Sequence, residues 1–144
     1  MVRRMQKRDY QAVLDMMRVF YDSPAILFEV ADDVLKRDID ACVSSNPFVH
    51  GYIIESNGEI AGYAMAAMGF STEFGGLCVW TEDLYIKPEF RGLRLADEYF
   101  AELKRLYPDA VRFRLEVEAN NEIARHVYKR NGYQDVPYIE MDLC

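Results

Sequence analysis

Residues 78–107 read CVWTEDLYIKPEFRGLRLADEYFAELKRLY, and the period of their apolar positions changes partway along. Residues 78–86 read as a strand, which Pro88 ends by removing a backbone donor. Beyond Arg91-Gly92, the residues Leu93, Ala96, Phe100, Leu103 and Tyr107 stand 3, 4, 3 and 4 apart. That is the spacing of one helix face, and Pro108 closes it. A strand therefore feeds a helix through a short turn.

The same alternation of periods extends in both directions. Downstream, Val111, Phe113, Leu115 and Val117 alternate with Arg112, Arg114, Glu116 and Glu118, the clearest strand in the chain. Ile123, Ala124, Val127 and Tyr128 mark a further helix, which Asn131-Gly132 terminates. Residues 138–143 are predicted to form a last strand. Upstream, Asn57-Gly58 sits between the apolar runs 52–55 and 60–68, a two-residue hairpin signal. The run 60–65 is apolar on both faces, as a central strand would be. Tyr10, Val13, Met17 and Phe20 predict a first helix with Asp9 as N-cap, ending before Ser23-Pro24. Leu35, Ile39 and Cys42 predict a second, starting near Ala31 and stopping at 45–47. Residues 2–5 suit an edge strand. The order is strand, two helices, a three-strand meander, helix, strand, helix, strand. It predicts one α/β (α+β) layered domain over residues 1–144.

Two segments carry chemistry. In IKPEFRGLRLA, residues 86–96, a strand runs into a helix N-terminus, where free N–H groups and a partial positive charge favour a phosphate. Arg91 and Arg94 add cationic donors, and Gly92 permits a tight turn. In EANNEIARHVYKRNGY, residues 118–133, Asn121 precedes Ala124 by 3 and Tyr128 by 7, so all three share one helix face or its start. A phenol there can protonate a leaving group. Taken singly, each segment also reads blandly, as a plain turn and as a capped helix with a core tyrosine.

Taken together, the two segments resemble the GCN5-related N-acetyltransferase (GNAT) superfamily. Arg91-Gly92-Leu93-Arg94-Leu95-Ala96 is similar to its pyrophosphate loop, and 82–86 with Pro88-Glu89-Phe90 looks like the strand before it. Asn121, Ala124, Tyr128, Gly132 and Tyr133 fit its second motif. The resemblance covers nearly the whole chain and concentrates in 82–133. One position departs: Arg94 replaces the central loop glycine. In right-handed helical geometry that change costs little, whereas a positive φ or close approach would weaken cofactor binding. Only 134–144 follow the Gly-Tyr pair, so the usual last hairpin must be abbreviated or replaced.

The resemblance implies the GNAT fold: a mixed, mostly antiparallel sheet of about six to seven strands flanked by four helices. It implies an acyl-CoA-dependent transferase that moves an acetyl group from acetyl-CoA to a primary amine by direct attack. Cofactor contacts fall by analogy on Leu84, Tyr85, Ile86, the loop 91–96 (Arg91, Gly92, Leu93, Arg94, Leu95, Ala96), Asn121 and Tyr128. Tyr128 becomes the proton donor to the thiolate. Glu82 becomes the base, working through a water. Tyr21, Asp22, Glu82 and Asp83 become acceptor contacts, with Glu73 a further option. Asp83 alternates to the other sheet face from Glu82 unless a bulge intervenes. The competing class is a non-catalytic acyl-CoA-binding or sensor domain, and a third is an interaction domain that has lost the cofactor.

Composition agrees with a folded domain: 51% of residues are hydrophobic and 28% charged. Lys plus Arg number 17 and Asp plus Glu 24, a net charge of −7. That disfavours nucleic acid and anionic membrane, and it suits a cationic acceptor, a small-molecule or peptide amine. Asp22, Glu29, Glu73, Glu82 and Asp83 fall in segments on the acceptor side, and Lys87, Arg91 and Arg94 on the cofactor side. Cys42, Cys78 and Cys144 show no paired spacing, so no zinc site or disulfide framework is predicted. No metal site is expected, the setting is expected to be cytoplasmic, and relatives allow for a homodimer. His50 reads as a surface or loop residue, His126 as exposed, and Trp80, Phe74 and Phe28 as core.

Overall fold

The computed structural model describes residues 1–144. Five strands form one sheet in chain order: β1 (Val2–Arg4), β2 (Val49–Ser56), β3 (Glu59–Ser71), β4 (Gly76–Ile86) and β5 (Arg112–Leu115). Strands β1 to β4 pair antiparallel, and β5 joins β4 in parallel. A parallel pair needs a crossover, and α3 (Leu95–Leu106) supplies it. The other helices are α1 (Tyr10–Tyr21), α2 (Asp32–Val43) and α4 (Glu122–Arg130). Asn57 and Gly58 both take positive φ, 50° and 78°, as the expected tight hairpin requires.

Alternation along the strands builds two cores. Ile53, Tyr63, Met65 and Tyr85 pack under α1 and α2 with Val13, Met17, Leu35 and Ile39. Tyr52, Ile54, Ala64, Ala66 and Val79 pack on the other face with Leu95, Tyr99, Phe100 and Leu103 of α3. The alanines leave room for the two aromatics of α3. Removing a ring such as Phe100 would cost about 3–5 kcal/mol. Gly62 is required by close approach, since a Cβ there would lie 2.2 Å from the Tyr85 carbonyl oxygen.

Several expectations are corrected. The sheet has five strands, because residues 138–143 form none. Glu140 and Asp142 lie near Glu116, just past the end of β5, and this crowding of carboxylates opposes a ladder. Strand β5 is also shorter than 111–117, because its pairing with β4 stops at Thr81↔Leu115. Asp9 makes no capping bond to α1; its carboxylate receives both ends of the Arg3 guanidinium at 2.9 Å. Leu93 lies outside α3 and is exposed, and Leu95 takes its place in the core. His50 lies on β2, half-buried, with Nδ1 2.5 Å from the Tyr107 hydroxyl. Phe74 and Phe28 are exposed, not core.

Candidate functional site

Strand β4 and its break with β5 set up the site. The two strands pair only from Cys78↔Arg112 to Thr81↔Leu115. Beyond that, β4 keeps β3 on one side and has no strand on the other. Lys87 N donates to Ala61 O of β3 at 2.8 Å. Strand backbone groups alternate sides, so Leu84 and Ile86 turn theirs toward the open edge. Their side chains join the core under α3, as do Ala96 and Tyr128.

The register of β3 and β4 slips between Met65 and Ala66, which face Asp83 and Thr81. Glu82 is the extra residue of this bulge. Without it, Asp83 would share a face with Val79 and Thr81. The bulge returns Asp83 to the α1–α2 face, beside Glu82 and Trp80. There Asp83 is buried, 4% exposed, and accepts a hydrogen bond from the Tyr21 hydroxyl and another from Tyr63, each 2.8 Å. Burial raises its pKa from 3.8 to about 6, while the two phenols pull it down. Glu82 is exposed at the cleft, and its pKa is also raised, first by partial burial and then by Glu116 and Asp83. Tyr21 thereby ties the end of α1, and the connection after it, to the bulge.

At the far end of β4 the chain turns into α3. Gly92 takes φ 79° and Arg94 takes φ 59°, ψ 27° as N-cap of α3. The central loop position is thus left-handed, the strained case for a non-glycine residue, at a cost of about 1–2 kcal/mol. The first amides of α3 remain without helical partners, as at every helix start. Arg91 Nε donates to Ile86 O at 3.0 Å, and its guanidinium lies 6.0 Å from the Tyr85 ring centroid. The Arg94 guanidinium reaches Asp97 at 3.3 Å. Asp97 also accepts from Arg130 Nη2 at 2.9 Å and Asn131 Nδ2 at 2.7 Å, which clasps the end of α4 to the start of α3.

Asn121 caps α4, its Oδ1 accepting from Ala124 N at 3.2 Å. Tyr128 meets Phe100 edge-on at 5.8 Å and Tyr133 at 6.3 Å. Burial raises the Tyr128 pKa, which keeps the phenol protonated at neutral pH.

The structure therefore brings Tyr21 to Asp83, sets Glu82 next to both, and gathers Leu84, Ile86, Ala96 and Tyr128 around one apolar cluster. Three expected residues stand apart. Asp22 is an exposed C-cap of α1. The Tyr85 side chain is buried on the opposite face, against Phe20 and Tyr63. Leu93 is exposed on the turn. Glu73 is engaged by Arg112 Nη1 at 3.3 Å and by the Tyr138 hydroxyl at 2.7 Å.

A cleft of about 520 Å³ opens on the same face, lined by Trp80, Glu82, Glu73, Arg112 and Arg114 among others. Sequence reading did not mark Arg112, Arg114 or Tyr63 as site residues. The signal for the arginines was present in the alternation of 111–117, which puts Arg112, Arg114 and Glu116 on one face.

The acetyltransferase (GNAT) family matches residues 11–133, and the chain belongs to that family. It is thus an acyl-CoA-dependent N-acyltransferase with acetyl-CoA as co-substrate. Among curated relatives, a thialysine Nε-acetyltransferase of Sus scrofa is 27% identical and covers 97% of this chain and 87% of its own length. A candidate ribosomal protein bS18-alanine N-acetyltransferase of Bacillus subtilis is 33% identical, over 62% of this chain and only 56% of its own. Among solved structures, an aminoglycoside N-acetyltransferase in complex with coenzyme A superposes with TM-score 0.81 at 15% identity, covering 100% of this chain and 93% of its own. The open β4 edge and the turn into α3 fit an acyl-CoA, with the backbone of Leu84 open to the arm and the first amides of α3 open to the pyrophosphate. No group of three or more His, Cys, Asp or Glu is placed to hold a metal. No helix is long and apolar enough to cross a membrane.

Proposed function

We propose that the protein transfers the acetyl group of acetyl-CoA to the primary amine of a small acceptor, cationic at that amine, by direct attack in a ternary complex. The observation that carries this reading is the open edge of β4. It ends at the amides of α3 on one side of the sheet and bears two carboxylates on the other. The unpaired backbone at Leu84 and the Ile86 amide align the thioester, the Ile86 carbonyl being held by Arg91, and the amides of 91–96 take the pyrophosphate. Asn121 contacts the cofactor arm with the part of its amide that capping leaves free.

A free alkylammonium has a pKa of about 10.4, so it must lose a proton before attack. Glu82 receives that proton through a water; its raised pKa makes it a better base than an ordinary surface carboxylate. The amine nitrogen then bonds to the thioester carbon, the C–S bond breaks, and Tyr128 protonates the departing thiolate; the second proton, which the nitrogen sheds on becoming an amide, passes to water and restores the Tyr128 hydroxyl. The carboxylates of Glu82, Asp83 and Glu116, with Asp38 of α2 near enough to raise the pKa of Glu82 and Asp83, favour a cationic amine on this face. The thialysine relatives, named for acetylation of an amino-acid side chain, support a small acceptor. The three free cysteines support a reducing, cytoplasmic setting.

The test is coenzyme A release across a panel of primary amines, with a protein-only blank because Cys144 is exposed. Release is expected with at least one small amine, together with a rise in Tm on adding acetyl-CoA. The acid limb of kcat/KM against pH should lie above the ordinary range for glutamate and vanish in Glu82→Gln. No release and no Tm shift at millimolar cofactor would overturn the reading.

A further inference from the structure

The cleft beside the bulge is not uniformly acidic. Strands β4 and β5 present matching pairs on its floor: Cys78 faces Arg112 and Trp80 faces Arg114, with Glu82 next on β4 and Glu116, just past β5, near enough to raise its pKa. The two arginines differ in what holds them. Arg112 is neutralised by Glu73 at 3.3 Å and lies over the Phe74 ring at 4.6 Å. The Arg114 guanidinium lies over the Trp80 ring at 4.5 Å and enters no ion pair. A flat guanidinium braced on an indole keeps its edge donors free, in the fork geometry that matches a carboxylate.

Glu82 follows Trp80 on the same face of β4, one same-face step of about 7 Å along a strand. One cleft thus offers a free cation and a proton-accepting carboxylate, separated by a short chain's length and walled by an aromatic ring. We propose that the acceptor is an amino acid or amino-acid-like molecule, whose carboxylate binds Arg114 against Trp80 while its amine, a few bonds away, lies at Glu82. This deepens the acetyltransferase reading and rests on it for the transfer step. It also refines the preference drawn from net charge: the attacked end is cationic, but the other end is anionic.

Trp80 is the only tryptophan in the chain, so its emission reports on Arg114 whether or not turnover occurs. The experiment titrates the full chain, with coenzyme A present, using 6-aminohexanoate and hexylamine as probes. Their kcat/KM values for coenzyme A release are compared in parallel. The amino acid is expected to change Trp80 emission saturably, at a concentration at least about ten-fold below any effect of hexylamine. It should also lead in kcat/KM by a similar factor. In Arg114→Gln both ratios should collapse toward one, and Arg114→Lys should restore part of them. Hexylamine binding as tightly as the amino acid in the wild type would overturn the proposal, with no reliance on a variant that folds. So would an undiminished preference in Arg114→Gln. A carboxylate-dependent Trp80 response without any thiol release would leave the carboxylate site standing and defeat the acetyltransferase reading instead.

Discussion

Asp83→Asn should make this protein more stable at neutral pH and indifferent at acid pH. Asp83 is buried at 4% exposure, with no cation beside it, and only the Tyr21 and Tyr63 hydroxyls satisfy its oxygens. Its pKa rises from 3.8 to about 6, chiefly through burial. In the unfolded chain the carboxyl ionises near 3.8, and in the folded chain near 6. Between those values the folded state holds a proton that the unfolded state has lost, so this group's contribution to stability falls as pH rises through the window. Above pH 6 the full cost is present. About two pH units, at about 1.4 kcal/mol each, give about 3 kcal/mol. Asparagine has the same shape and no charge; its Oδ1 accepts from one tyrosine and its Nδ2 donates to the other. At pH 7.5 the variant should gain up to about 3 kcal/mol, a Tm increase of roughly 5–10 °C for a chain this size. The gain should shrink through pH 5.5 and be nearly gone at pH 4. Urea denaturation at those three pH values measures it. A variant less stable than the wild type at pH 7.5, or a gain that does not change with pH, would refute the description of Asp83 as an ionised carboxylate kept at a cost. Such a cost at a cleft is a mark of function rather than of folding.

Three further outcomes are expected. Arg94→Gly relieves a left-handed arginine but loosens the unfolded chain, so stability should move by less than about 1 kcal/mol; calorimetry should show coenzyme A bound at least as tightly, since the amides persist and the side chain at the positive-φ position is removed. Tyr128→Phe should lower kcat by on the order of 100-fold with little change in the Kd for acetyl-CoA, and equal loss in both would reject the proton-donor role. Asn121→Ala removes the cap on α4 and should destabilise by about 1 kcal/mol in thermal melts.

Much of the fold was legible because it depends on short periods. The 3–4 spacing of α1 to α3 buries one local face of each helix, and the Asn57-Gly58 turn is itself a local device; local faces and turns can be counted along a chain. The turn at 91–94 and the Asn121 cap of α4 were legible for a related reason, since a tight turn into a helix and a capped helix are local devices. The failures share a cause as well. Residues 138–143 alternate like a strand, yet a strand exists only with a partner, and Glu140 and Asp142 meet Glu116 on the one edge that remained. Leu93 had the right spacing for α3, but the left-handed turn at Arg94 starts the helix later.

By itself, then, the sequence determined the family and the order of elements up to α4, because those follow from neighbours within a few positions. Only the tertiary structure decided which side chains line the cleft beside the bulge. The bulge at Glu82 shifts Asp83 from one side of the sheet to the other, a change of a single residue in register that no composition records. It also decided that Arg94 is left-handed, that Tyr21 and Tyr63 converge on one buried carboxylate, and that Arg114 lies free on Trp80. Each of these depends on which strand lies beside which. That is set by the competition of all the packed faces at once.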